Sequence, residues 1–186
     1  ERELAAHGVA LQIASVTFMV HVGLSSAATV RAGQAWGVRA VGSLRDGAAA
    51  ALILSGAMVV LTVALFLLLP GPLIGLFLDP SEPERVTIIA IGTALLAVGA
   101  LFQFADAAQV MALGLLRGIQ DTRTPMWLAI VSYWAVGAPT GYGLGIGLGW
   151  GAPGVWLGLV AGLVLAGILL MARFWRRAAG LMAAAA

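Results

Sequence analysis

Long apolar stretches separated by short charged or proline-containing segments are the main pattern of this sequence. A helix needs about 20 mainly apolar residues to cross a bilayer, and five stretches are about that long or longer. The pattern therefore predicts an all-α, polytopic membrane helix bundle with five transmembrane helices. Their approximate bounds are residues 4–30, 47–69, 86–116, 125–149 and 154–172.

Prolines and charges mark the ends of these spans. Pro70-Gly71-Pro72 closes the second span, because a proline inside a helix loses its N–H and clashes with the preceding turn. Residues 73–78 form a short apolar segment that we expect at the membrane interface, before the acidic turn at residues 79–85. Pro125 opens the fourth span, where proline suits a first helical turn.

Composition agrees with a lipid environment. Of the 186 residues, 61% are hydrophobic and only 10% are charged, whereas soluble domains are about a quarter charged. The mean hydropathy is +1.02. The chain lacks a dense basic run, which argues against nucleic-acid binding.

The chemistry of soluble enzymes finds little support. The chain has no cysteine, two distant histidines, and carboxylates that lie at span ends with one exception. These residues cannot form a catalytic triad, a zinc cluster or a paired-carboxylate site, and no phosphate-binding loop is present. We therefore expect a protein that is not an enzyme and has no cofactor, and whose energy, if it uses any, comes from an ion gradient.

The arginines predict the orientation, because cytoplasmic loops retain positive charge. Eight of the ten fall on one side of the predicted spans, which places the C-terminus in the cytoplasm and the N-terminus outside. An odd number of helices with an outside N-terminus, in a chain that begins with Glu1, predicts a fragment with at least one further helix upstream. The eight are Arg31, Arg39, Arg45, Arg117, Arg123, Arg173, Arg176 and Arg177.

Glycines at four-residue spacing predict tightly packed helix faces, since small residues let helix backbones approach in lipid. The glycines and Pro139 within the spans suit helices that bend and static bundles equally well. The two series are Gly137, Gly141, Gly145 and Gly149 in the fourth span, and Gly154, Gly158 and Gly162 in the fifth.

Asp106 is the single charged residue inside a predicted span. An ionised Asp at the centre of a lipid-facing helix costs about 2.5 to 3.5 kcal/mol, so we expect it to face protein or water. Phe102, Gln103 and Gln109 share its helix face. Gln103, Asp106 and Gln109 together form a polar stripe on this otherwise apolar helix. The stripe predicts a Na⁺ or H⁺ coupling site, against the alternative that Asp106 only bonds a neighbouring helix.

His7 and His21 share one face of the first span. A histidine can titrate near neutral pH, so His21 is a candidate for a proton pathway. The plainer interpretation is a hydrogen-bonded packing residue.

Several motifs together carry a family resemblance. They are Ala27-Ala28-Thr29-Val30-Arg31-Ala32-Gly33, Pro72-Leu73-Ile74-Gly75-Leu76-Phe77, Asp106-Ala107-Ala108-Gln109-Val110, Gly114-Leu115-Leu116-Arg117-Gly118, Tyr133-Trp134 and the stretch from Gly154 to Gly162. In this order they resemble helices eight to twelve of the twelve-helix multidrug and toxic compound extrusion (MATE) transporters, in particular the NorM-type branch.

The resemblance implies a secondary antiporter that exports organic, often cationic, compounds in exchange for Na⁺ or H⁺. Residues 1–186 would be part of its C-terminal six-helix lobe in a bacterial inner membrane, with membrane lipid, small organic substrates, an N-terminal lobe and one missing helix as partners. The family's coupling carboxylate of the tenth helix would be Asp106. Phe102 stands where some members have a Tyr, so only a cation–π contact is available there.

Two alternatives stay open. A flippase for lipid-linked precursors, from the same superfamily, usually needs basic residues in its cavity, and no predicted span here contains one. A non-transporting membrane scaffold or assembly subunit would show the glycine faces without needing an intramembrane acid.

Overall fold

The chain folds as a bundle of helices, and the computed structural model describes residues 2–185, with side chains described for residues 4–151 and 154–181. No strand occurs within residues 2–185. The four long helices are α1 (Arg2–Gly37), α2 (Val41–Leu68), α4 (Arg85–Gly118) and α7 (Ala152–Ala185). The short ones are α3 (Pro70–Gly75), α5 (Arg123–Val131) and α6 (Ala138–Tyr142).

The four long helices are all long and apolar enough to cross a membrane. Their outward surfaces carry large apolar side chains, such as Ile53, Leu68 and Val86, each more than 70% exposed. Water-soluble monomers rarely expose apolar surface on this scale. The all-α membrane bundle predicted from the sequence is therefore confirmed.

The fourth predicted span is helical but broken. Between α5 and α6 the residues Ser132–Gly137 form a π-helical turn, and Gly143–Gly147 form a second one after α6. Pro139 has no N–H for the preceding turn, and glycines hold a helix weakly, which explains why the wider turns occur here. Residues 123–147, called the broken span below, thus form the fourth predicted span in place of one continuous helix.

Contacts between the helices fix their directions. Thr17 of α1 bonds Gln103 of α4, and Ser25 bonds Val110 further along both helices, so α1 and α4 are parallel. α7 runs in the same direction, while α2 and the broken span run in the opposite one. The eight arginines named above therefore gather at one end of the bundle, which we call the arginine end.

α1 and α4 form the most extensive helix pair, and small residues let them cross closely near the arginine end. A Cβ added to Gly114 would lie 2.7 Å from the carbonyl oxygen of Ser25, and one added to Gly118 would lie 2.6 Å from that of Thr29. Ser25 Oγ donates to the Val110 carbonyl at 2.8 Å, and Thr29 Oγ1 donates to the Gly114 carbonyl at 2.9 Å. These hydroxyl bonds hold the crossing together in a way that the glycine spacing did not predict.

The glycine faces predicted in the last two spans do pack against each other. A Cβ on Gly158 would collide with the backbone of Gly141, and one on Gly154 would lie 2.6 Å from the backbone nitrogen of Gly145. Gly149 is an exception to the predicted series. Its φ of +71° places it in the turn before α7, with no atom within 4 Å of an added Cβ, so it serves the turn and not the helix face.

An ion-pair cluster ties the arginine end together. Arg173 Nε and Arg177 Nε lie 2.9 and 3.3 Å from Asp121 Oδ2, in the turn after α4. Burial raises the pKa of Asp121, but the hydrogen bond and charge of Arg173, the bond to Thr124 and the charge of Arg177 outweigh it and hold that pKa below its usual range. The turn between α4 and α5 is thereby fixed to α7.

The apolar segment after the second span folds back into the bundle. α3 begins at Pro70, and its Ile74 is fully buried against Gly92 of α4, where an added Cβ would lie 2.8 Å from Ile74 Cδ1. Arg85 donates to the carbonyls of Gly75 and Leu78, which satisfies the end of this short helix.

Candidate functional site

A cavity of about 540 Å³ lies between α1, α4 and α7 in the half of the bundle away from the arginine end, with Phe66 of α2 completing its wall. This volume is within the range of about 300 to 1,000 Å³ typical of small-molecule sites. The α1 and α4 residues that line it are His7, Ala10, Leu11, Ala14, Leu95, Leu96, Val98, Gly99, Leu101, Phe102, Gln103 and Asp106. The α7 residues are Trp156, Leu157 and Val160.

Asp106 is the single carboxylate of this lining, and no Lys or Arg belongs to it. Its side chain is half-buried, and among the described side chains none donates a hydrogen bond to it. A negative charge in an apolar cavity is costly unless a cation or a proton compensates it, so the cavity has the chemistry of a cation-binding or proton-binding site.

Aromatic rings form one wall beside the carboxylate. The rings of Phe102 and Trp156 meet edge to face with centroids 5.2 Å apart, and His7 meets Trp156 in the same manner at 6.4 Å. Such edge-to-face pairs hold their rings in fixed orientations. The wall therefore offers ring faces and edges to an organic ligand, and ring faces attract cations.

The structure divides the polar stripe expected around Asp106. Gln103 lines the cavity beside Asp106 and donates from Nε2 to Thr17 Oγ1 of α1. Gln109 points to the broken span, where its Oε1 accepts a bond of 2.6 Å from the Tyr133 hydroxyl. Gln103 and Asp106 are thus brought together, and Gln109 connects α4 to the first π-helical turn.

His21 does not belong to the cavity lining. It is only 1% exposed, and its Nδ1 lies 3.0 Å from Ser55 Oγ of α2. His7, which shares its helix face, lines the cavity itself.

Two residues of the site, Trp156 and Thr17, were not predicted from the sequence. Trp156 stands next to the start of the fifth predicted span, where a tryptophan is typical of a membrane interface, so nothing marked it as a cavity wall. Thr17 is an ordinary hydroxyl within an apolar helix. Trp156 meets the ring of Phe102, and Thr17 bonds the amide of Gln103. Both partners lie on α4, so the local sequence around Trp156 or Thr17 does not show them.

The described residues contain no cluster of three or more His, Cys, Asp or Glu side chains that could hold a metal ion. A cation in the cavity would therefore rely on one carboxylate together with neutral oxygens and rings. Such a set suits a monovalent or organic cation, because divalent ions in proteins usually take more oxygen ligands than one carboxylate supplies.

Comparison with known proteins identifies the family. The family model described as MatE matches residues 1–143. The probable multidrug resistance protein NorM of Brucella suis biovar 1 is 42% identical over 174 residues, which cover 94% of this chain and 37% of that protein. Its namesake in Burkholderia pseudomallei is 40% identical over 181 residues, with coverage of 97% and 39%.

Solved structures share the fold. The crystal structure of the eukaryotic MATE transporter AtDTX14 superimposes with a TM-score of 0.75 at 19% identity, covering 97% of this chain and 40% of that one. An inward-facing multidrug resistance MATE family transporter of the MOP superfamily superimposes with a TM-score of 0.77 at 20% identity, covering 95% of this chain and 40% of that one.

The chain spans about two fifths of the length of the curated relatives it matches. The relatives at 40 to 42% identity bear the name NorM, which confirms the resemblance to that branch, and the long apolar helices identify an integral membrane protein. Because the family model matches well over half of the residues, the chain belongs to the MatE family.

Proposed function

We propose that this chain contributes helices eight to twelve of the C-terminal lobe of a twelve-helix antiporter, which exports organic, often cationic, compounds in exchange for Na⁺ or H⁺. The observation that carries the proposal is the position of Asp106, a lone carboxylate in an apolar, aromatic-walled cavity. Relatives named as multidrug resistance proteins support the same activity.

Charge compensation gives a physical basis for exchange. The ionised Asp106 is unfavourable in the cavity until a proton, Na⁺ or an organic cation neutralises it. Two cations that need the same carboxylate cannot both hold it, so arrival of the coupling ion displaces a cationic substrate. Exchange across the membrane also needs two conformations of the transporter. A bound ion or substrate shifts the balance between them only if it binds the two conformations with different affinity.

The remaining elements of the proposal concern the whole transporter. An N-terminal lobe and one further helix would complete the pathway in a bacterial inner membrane, since the curated relatives are bacterial. The arginine end would face the cytoplasm, in keeping with the positive charge that cytoplasmic loops retain.

Asp106→Asn in the full-length transporter is the decisive test. In proteoliposomes with imposed Na⁺ or H⁺ gradients, we expect this variant to lose ion-driven efflux of a fluorescent organic cation, because a neutral amide no longer requires compensation. Asp106→Glu keeps the charge and should retain part of the flux. Glu82→Gln, in the exposed turn before α4, is the matched control and should transport as the wild type does.

Undiminished ion-driven flux in Asp106→Asn would remove this carboxylate from the mechanism. No gradient-dependent flux from the wild type would favour a scaffold. Flux of a lipid-linked pyrophosphate instead of organic cations would favour a flippase, although the cavity lining contains no Arg or Lys to hold such an anion.

A further inference from the structure

A seam of polar side chains continues from the cavity toward the arginine end, between α1, α2 and α4. We call Thr17, His21, Ser25, Ser55 and Gln103 the polar seam. Gln103 lines the cavity and bonds Thr17, His21 contacts Ser55, and Ser25 bonds the Val110 carbonyl. All five are buried or half-buried, so the seam is enclosed by protein.

His21 stands at the depth of Asp106. On parallel helices the bonds Thr17–Gln103 and Ser25–Val110 bracket it, and the residues of α4 midway between these bonds are Asp106 and Ala107. On α1, His21 also continues the face on which His7 and Ala14 line the cavity. The imidazole is therefore level with the carboxylate along the bundle.

His21 Nε2 is the one buried side-chain nitrogen or oxygen without a hydrogen-bond partner among the described residues. Leaving such a group unsatisfied costs about 1 to 3 kcal/mol, and an exception of this kind in a native fold calls for an explanation. The other seam residues all have partners. Packing alone does not explain an imidazole here, because an apolar side chain would avoid the unsatisfied nitrogen.

Few other titratable groups face this imidazole. The buried face of α2 is Leu44, Ala48, Ser55, Val59, Thr62 and Phe66, none of which titrates. On α4 the titratable residue at its level is Asp106, and on α1 it is His7, 14 residues away. Among the described side chains, Asp106 is therefore the carboxylate at the level of this imidazole.

We propose that His21 is a second proton-binding site of this lobe, which exchanges protons with the cavity at Asp106 through the polar seam. With Nδ1–H donating to Ser55 Oγ, the lone pair of Nε2 accepts a proton and the ring becomes imidazolium. Release of the same proton returns the neutral ring, with no other bond made or broken. This inference rests on the proposed antiport, since it assigns the seam a part in coupling.

Nitrogen-15 NMR of the full-length protein in lipid tests proton binding without relying on transport. His21 signals are those that disappear in His21→Asn, whose amide retains a partner for Ser55. We expect Nε2 to change between neutral and protonated signals as the bulk pH passes from about 8 to 5. A single neutral tautomer across that range, in protein that still binds its substrate, would overturn the proposal.

Transport supplies the second measurement. We expect His21→Asn to lower proton-driven efflux about tenfold or more and to alter its pH profile. Ser26→Ala, on the exposed face of α1 and outside the seam, should keep the wild-type profile. An unchanged profile in His21→Asn, together with loss of flux in Asp106→Asn, would overturn the role of His21 alone. Retained flux in Asp106→Asn would instead refute the antiport mechanism, and the NMR titration would then decide proton binding by itself.

Discussion

The same two helices behave differently in the two halves of the bundle. Near the arginine end, α1 and α4 cross on Ser25, Thr29, Gly114 and Gly118, and the two α1 hydroxyls donate to backbone carbonyls of α4. In the other half Asp106, His7 and apolar side chains of the same two helices line the cavity together with residues of α7.

The contrast teaches how a membrane bundle places a cavity. Lipid tails provide no hydrophobic drive between helices, so the approach of two helices depends on side-chain size and on hydrogen bonds. Small residues close one half of the pair, where the two backbones meet, and the other half is open to the cavity. We therefore expect the closed half to govern folding stability and the open half to govern binding.

The largest effect should come from breaking the crossing. Gly114→Ala places a Cβ against Ser25 and its backbone carbonyl, which cannot move aside as a flexible side chain does. We expect a loss of about 3 kcal/mol or more, measured as a lower midpoint of thermal unfolding in detergent. Gly56→Ala, with nothing within 4 Å of its added Cβ, should be neutral or slightly stabilising, and equal losses in both variants would contradict the proposed crossing.

Paired leucine truncations should separate the halves next. Leu115→Ala empties a site that is 1% exposed in the closed half, whereas Leu157→Ala shortens a cavity-wall residue that is 43% exposed. Moving a leucine side chain from lipid into protein gains little free energy, so the cost of truncation comes from the void that it leaves. We expect the free energy of unfolding to fall by about 1 to 3 kcal/mol in Leu115→Ala and by less than about 1 kcal/mol in Leu157→Ala. Thermal unfolding measures both, and a larger loss at Leu157 would reverse the assignment of the two halves.

The ion-pair cluster at the arginine end should contribute less. Asp121→Asn leaves Arg173 and Arg177 without their carboxylate, but both arginines are partly hydrated, with side chains 35% and 48% exposed. We expect a loss of about 1 to 2 kcal/mol in unfolding free energy. Asp79→Asn in the exposed turn, where Ser81 is the hydrogen-bond partner, is the control and should change the unfolding midpoint far less.

Acid should produce the smallest effect through the same carboxylate. Because the folded pKa of Asp121 lies below its usual range, its stabilising contribution is complete above about pH 4 and is lost as the pH falls through the folded value. The unfolding midpoint of the wild type should therefore fall more steeply below pH 4 than that of Asp121→Asn. Parallel acid profiles for the two proteins would show that Asp121 is not the titrating group.

The helix ends differ from the ends of the apolar stretches in the sequence. Apolar stretches marked the second and third spans to within a few residues, except that α2 begins at Val41, where Arg45 and Asp46 precede the apolar run. α1 and α7 likewise continue past Arg31 and Arg173, because a helix can extend beyond the membrane with charged residues on its surface. Hydrophobicity reports where lipid begins and not where the helix stops.

Asp106 was identified from the sequence because a charge is conspicuous in an apolar helix. Its neighbours in space were harder to predict. Gln103 and Gln109 stand at equivalent spacings from Asp106, yet one lines the cavity and the other bonds Tyr133. The positions of α1 and the broken span decide between these two outcomes, and the local sequence of α4 does not.

The sequence by itself thus determined the lipid environment, the order of the spans, the arginine end and the isolated carboxylate. Tertiary structure alone decided that Trp156 lines the cavity and that His21 lies at the same depth as Asp106. It also decided that α1 and α4 pack most closely at Gly114 and Gly118. The reason is physical. Residues that face lipid and residues that face protein are both apolar in a membrane, so the contrast that marks the buried face of a soluble helix is missing, and only packing chooses which face turns inward.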